Sequence, residues 1–212
     1  MPPQLGNRFA LAGRSWEVLD IDIKRKAVFV KQVDGSASIS WQGSSCRIHT
    51  KILKRIRKVL IENSQYPYLQ SQAKERLKTA RQLAKMEGLA QKNILCLDEK
   101  ICCVFPWMGT VAYRTLERLL NFCVRGSLGI RSIKGKSPYY LIIKLEHDKV
   151  EELRQEILDL CNQGLTEDDL VAADEAPKLQ KYDEFIPNNL LRKAFALDYL
   201  DVAELRQLLD NW

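Results

Sequence analysis

Between residues 93 and 162 the chain runs twice through one order of elements: two short apolar runs, then an amphipathic helix. The first pass takes the runs 93–98 and 100–105, parted at Asp98-Glu99, and a helix over 110–124. The second takes 128–133 and 139–145, with Gly135-Lys136-Ser137-Pro138 between them, and a helix over 148–162. Runs of this length suit strands, and each helix must bury its apolar stripe. The pattern predicts an antiparallel sheet of about four strands with helices on one side, an α+β architecture. Residue-level similarity between the two passes is too weak for a true repeat.

Upstream, residues 8–33 read as a small β-sheet. Trp16, Val18 and Ile21 stand among polar neighbours, Lys24-Arg25-Lys26 makes a hairpin connection, and Val28 and Val30 resume the strand. Two basic amphipathic helices follow. The first, 47–62, sets Ile48, Ile52, Leu53, Ile56, Val59 and Leu60 on one face. Tyr66-Pro67-Tyr68 breaks it. The second, 71–87, stops at Gly88 and carries a narrow stripe of Ala73, Leu77, Ala80 and Ala84.

Residues 164–187 are acidic and turn-rich, with Thr166 capping a short helix and Pro177 and Pro187 flanking an extended linker. Asn188 and Asp201 cap two closing helices, whose Leu190, Leu191, Phe195, Leu205, Leu208 and Leu209 need burial. The expected division is 1–90 for the small sheet and basic helix pair, 91–163 for the antiparallel α+β domain, and 164–212 for the acidic linker and docking helices.

Charge is sorted along the chain. Residues 1–145 hold 26 Lys+Arg against 10 Asp+Glu, and residues 146–212 hold 7 against 17. Such a basic surface attracts phosphate, because binding releases counterions condensed on nucleic acid. Solvation of helix faces alone explains any single basic helix; two in succession with an acidic tail favour a nucleic-acid partner.

Several chemistries lack their residues. Gly135-Lys136-Ser137 resembles the end of a P-loop, but the required upstream glycine is Ile130, and Pro138-Tyr139-Tyr140 leads into a strand rather than a helix. None of the six cysteines makes a CxxC pair, and His49 and His147 have no metal-ligand spacing from them. The cysteines, mostly within apolar runs, read as buried free thiols in a reducing compartment. The expectation is a chain with no catalytic site, metal or cofactor. No window approaches the ~20 apolar residues of a membrane span. Met1-Pro2-Pro3-Gln4 has no signal pattern, so a cytoplasmic setting without a membrane partner is expected.

Some segments carry a resemblance. Phe9-Ala10-Leu11-Ala12-Gly13-Arg14-Ser15-Trp16-Glu17-Val18, Ile39-Ser40-Trp41-Gln42-Gly43, Ile48-His49-Thr50-Lys51, Tyr66-Pro67-Tyr68-Leu69, Phe105-Pro106-Trp107-Met108-Gly109-Thr110 and Tyr182-Asp183-Glu184-Phe185-Ile186-Pro187 stand at intervals over most of the chain. Together they resemble the C-terminal accessory region of large helicase-related (Lhr-type) DEAD/DEAH-box superfamily 2 helicases. That family carries two ATPase lobes upstream, and their Walker A, DEAD/DEAH-box and arginine-finger motifs are not in this sequence. The resemblance implies a part that guides DNA or RNA relative to helicase motor domains, in cis or in trans, with no ATPase of its own.

On this reading Arg47, Lys51, Lys54, Arg55 and Lys58 contact phosphates, and Lys74, Lys78, Arg81 and Lys85 form a second row. Trp41 is a candidate for stacking on a base. His49 either contacts phosphate or base or, more plainly, is a solvated or capping residue. Trp107, beside Phe105 and Pro106, and Trp16 belong in a core. The alternative is a protein-interaction module whose basic face docks on an acidic partner or on the helicase motor.

Overall fold

The computed structural model describes residues 4–11, 14–35, 39–40, 46–146 and 150–210. Trp41 and His147 lie outside them. The chain divides into two compact units, residues 1–46 and 47–212. This differs from the expected three-part division, because the basic helix pair and the acidic tail both join the body that holds the second sheet.

In the first unit, β1 (Arg8–Leu11), β2 (Arg14–Asp22), β3 (Ala27–Val33) and β4 (Ile39–Ser40) form a sheet of order β3-β2-β1-β4. β1–β2 and β2–β3 are antiparallel, the latter pair joined at the expected Lys24-Arg25-Lys26 connection, and β4 adds in parallel to β1. Glu17 on the central strand bridges Arg8 at 3.0 Å and Lys31 at 3.2 Å, one cation from each neighbouring strand. Trp16 is half-buried, and its indole Nε1 donates to the Leu11 carbonyl at 3.1 Å.

The second unit is built on β5 (Ile94–Asp98), β6 (Ile101–Val104), β7 (Ile130–Lys136) and β8 (Tyr140–Leu145), antiparallel throughout in the order β5-β6-β8-β7. Alternation puts Cys102, Val104, Leu141, Ile143 and Leu145 on one face, where they are buried. The α+β architecture read from the doubled pattern is present: α3 (Thr110–Leu119) follows the first strand pair and α5 (Val150–Asn162) the second. α3 continues through a π-helical stretch at Leu120–Val124 into a short turn, α4 (Arg125–Ser127). Gly135-Lys136-Ser137 ends β7 and turns into β8, with the Tyr139 amide bonded to the Lys136 carbonyl at 2.7 Å.

The tail is part of this core. Leu170, Val171, Phe195, Leu205 and Leu209 are buried in the same cluster as the inner faces of α3 and the sheet. The acidic segment up to Glu175 is therefore packed on this body, whereas 177–187, the expected extended linker, is largely exposed and holds a short turn at Asp183–Phe185. Thr166 and Asp169 form a capping box on the turn Glu167–Leu170, and Glu175 holds the Arg118 guanidinium through two hydrogen bonds, one of 2.8 Å. Of the closing helices, α6 (Asn188–Tyr199) is N-capped by Pro187 rather than Asn188, and its Leu190 is 51% exposed rather than buried. α7 (Val202–Leu209) is capped as expected, with Asp201 accepting from the Glu204 amide at 2.6 Å.

Candidate nucleic-acid interface

The helix α1 (Thr50–Ile61) begins at a joint. The Ile48 amide donates to the Thr110 hydroxyl and the Thr110 amide to the Ile48 carbonyl, both at 2.9 Å. One residue further in, the buried Thr50 hydroxyl accepts from the Gly109 amide at 2.9 Å and donates to Glu204 at 2.6 Å. His49, one residue before the helix, is the N-cap: its Nδ1 accepts from the Lys51 amide at 3.1 Å. The joint fixes which way α1 faces. It buries Leu53 and leaves Lys51, Lys54, Arg55 and Lys58 exposed.

The second helix, α2 (Ser71–Met86), packs on α1. Of its expected stripe, Ala84 is buried, Leu77 and Ala80 are half-buried and Ala73 is exposed. The neighbouring basic row faces an open groove of about 720 Å³ between α2 and the connection 63–69. Lys74, Lys78, Arg81 and Lys85 all line it, together with Tyr66, Pro67 and Leu69. Among the described lining residues the one acid is Glu75. With a rise of about 1.5 Å per residue, the four cations cover roughly 16 Å of the helix axis. The groove thus gathers positive charge along one concave, solvent-open face, and an anion there meets several cations at once.

Tyr66 builds the groove wall. Its hydroxyl donates to Glu62 and accepts from Arg55 at 3.1 Å, while the Arg81 guanidinium lies over its ring at 5.7 Å. Arg55 also bridges Glu62 at 3.1 Å. The hydrogen bond from Tyr66, and then that from Arg55, holds the Glu62 carboxyl below its ordinary range. The same bond to Glu62 pushes the Tyr66 hydroxyl up. Arg81 is anchored by Nε, which donates to the Val59 carbonyl at 2.9 Å, while its buried Nη2 has no hydrogen-bond partner.

The predicted contacts therefore part into groups. Lys74, Lys78, Arg81 and Lys85 come together in one groove. Lys51, Lys54 and Lys58 lie exposed on α1, outside it. Arg55 is committed to Glu62 and Tyr66, and Arg47 lies over the Tyr199 ring at 4.5 Å. Trp41, the proposed stacking residue, falls outside the described residues. Trp107 is core, at 7% exposure, as read from its neighbours. It takes a φ of +54°, stacks with Phe105 at 5.8 Å and lies under the half-buried Arg57, which donates to the Ala90 carbonyl. Sequence reasoning missed Tyr66, because Tyr66-Pro67-Tyr68 reads first as a helix breaker. Two tyrosines placed between two basic helices were the available signal.

No family model, curated protein or solved structure matches the chain.

Proposed function

We propose that this chain is a nucleic-acid-binding accessory region that serves an ATP-dependent helicase motor, in cis or in trans, in the cytoplasm. It holds DNA or RNA by the phosphate backbone and hydrolyses no ATP itself. The observation that carries the binding is the convergence of Lys74, Lys78, Arg81 and Lys85 on one groove. Four cations against one carboxylate suit a polyanion, and lysines placed as point charges read phosphate without reading sequence. The link to a motor rests on the resemblance to helicase accessory regions. Two of its segments, Ile48-His49-Thr50 and Phe105–Thr110, meet at the joint that orients α1. Among the described residues no helix is long and apolar enough to cross a membrane.

The test is a salt titration of oligonucleotide binding. Lys74→Ala, Lys78→Ala and Lys85→Ala combined should weaken binding and flatten the log–log salt slope, by about 0.7–0.9 for each phosphate no longer neutralised. An unchanged affinity and slope would remove the groove from the binding surface and favour a docking module for an acidic protein.

A further inference from the structure

We infer that the α2 groove takes a single strand of nucleic acid, with one base stacked on Tyr68; this rests on the phosphate-binding reading of the groove. Tyr68 is 79% exposed, although an aromatic ring gains much from burial. Tyr68 does not itself line the groove; Pro67 and Leu69 do, as does Tyr66, the ring it neighbours, so the Tyr68 ring lies beside the groove's edge. It has a fixed support. The ring centroids of Tyr66 and Tyr68 are 5.7 Å apart, tilted at 41°. Tyr66 is itself held by Glu62 and Arg55 at its hydroxyl and by Arg81 over its face. An exposed ring on an immobilised neighbour loses little freedom when a base settles on it.

The groove also matches a single strand in its charge. The cations stand in one row along α2, so they can follow one backbone while bases turn toward the tyrosine side. A duplex keeps its base faces inside the stack and offers Tyr68 none. Because every base has a π-face, the stack tolerates any sequence, and the ligand class is single-stranded DNA or RNA without strong sequence preference.

Fluorescence anisotropy of the whole chain with labelled oligo(dT), oligo(U) and a blunt duplex tests this. Tyr68→Ala should weaken both single strands by about 5- to 150-fold and leave their salt slope and the duplex affinity unchanged. Tyr68→Phe should bind as the parent does, since it keeps the ring. If Tyr68→Ala binds single strands like the parent while Lys74→Ala with Lys78→Ala weakens them, the groove binds phosphate and the stacking inference is wrong. Equal losses on single strand and duplex also overturn it. If the parent binds none of the three, the phosphate reading of the groove fails with it.

Discussion

The Gly109 amide donates to the Thr50 hydroxyl at 2.9 Å, and a Cβ on Gly109 would lie 2.7 Å from the Ile48 carbonyl and 2.9 Å from that hydroxyl. The obstacle to a side chain is mostly backbone, which cannot rotate aside. Gly109→Ala should therefore destabilise the second unit by about 1–3 kcal/mol, as overpacking does. A chemical-denaturation curve followed by circular dichroism measures it; a midpoint equal to the parent's would show that the joint opens without cost.

Thr50→Val keeps the shape and removes the hydroxyl. It strands the Gly109 amide, a donor inside the joint, and leaves Glu204 without its Thr50 partner. The expected loss is about 1–3 kcal/mol. Thr50→Ser should recover most of it, which separates the hydrogen bonds from the packing of the methyl group.

Removing residues 164–212 should unfold the second unit rather than expose its basic surface. The deleted segment contains Leu170, Val171, Phe195, Leu205 and Leu209, all inside the common core, and the Glu204 partner of Thr50. Loss of the cooperative melting transition checks this. A truncated chain that melts cooperatively and keeps its helical content would show the tail to be a separable element.

Arg118 holds the Glu175 carboxyl below its ordinary range, chiefly through the hydrogen bonds between them. A carboxyl lowered in the folded state stabilises fully above the ordinary carboxylate range. That contribution is lost as pH falls through the lowered folded value. Glu175 is 28% exposed, so solvent screens the pair and its worth at neutral pH is about 1 kcal/mol. Glu175→Gln should lower the melting temperature at neutral pH, and the gap to the parent should close on acidification. A gap that persists in acid would assign the effect to shape rather than charge.

Thiol labelling should sort the cysteines by burial. Cys102 is fully buried, and burial pushes its thiol up to about 12; burial likewise pushes Cys161 up to about 11. Cys46 and Cys96 are exposed, contrary to the expectation of buried thiols: Cys46 precedes the joint at α1, and Cys96 lies on the edge strand β5. Only a thiolate reacts readily with iodoacetamide. In the native chain Cys46 and Cys96 should be labelled first by peptide mapping, with Cys102 and Cys161 modified only after denaturation. Early labelling of Cys102 would mean that the β6 strand opens.

What was legible in the sequence is what depends on short range. The two strand-strand-helix passes follow from local periodicity, and Asp201 caps α7 because a cap needs only its own first turn. The placement of the tail depends on partners far along the chain. Nothing near Glu175 in sequence points to Arg118, 57 residues away. Periodicity also makes no distinction among the cations of the helix pair. Arg81 and Arg57, with planar guanidinium groups, reach backbone carbonyls at Val59 and Ala90, while the lysines of the same helices stay in solvent. The groove itself arises where the connection 63–69 folds back along α2, a path that no residue pattern in that stretch specifies.

The bond from Thr50 to Glu204 spans 154 residues of chain. A growing polypeptide leaves the ribosome from its N-terminal end, so α1 emerges long before the carboxylate that completes its anchorage. Until then the start of that helix lacks one of its partners, and the unit cannot close. Loop-closure entropy adds to this delay, since so distant a contact must form before it rewards the chain. During synthesis the two basic helices are thus available to solution, and to any holding chaperone, well before the surface they carry has its final shape.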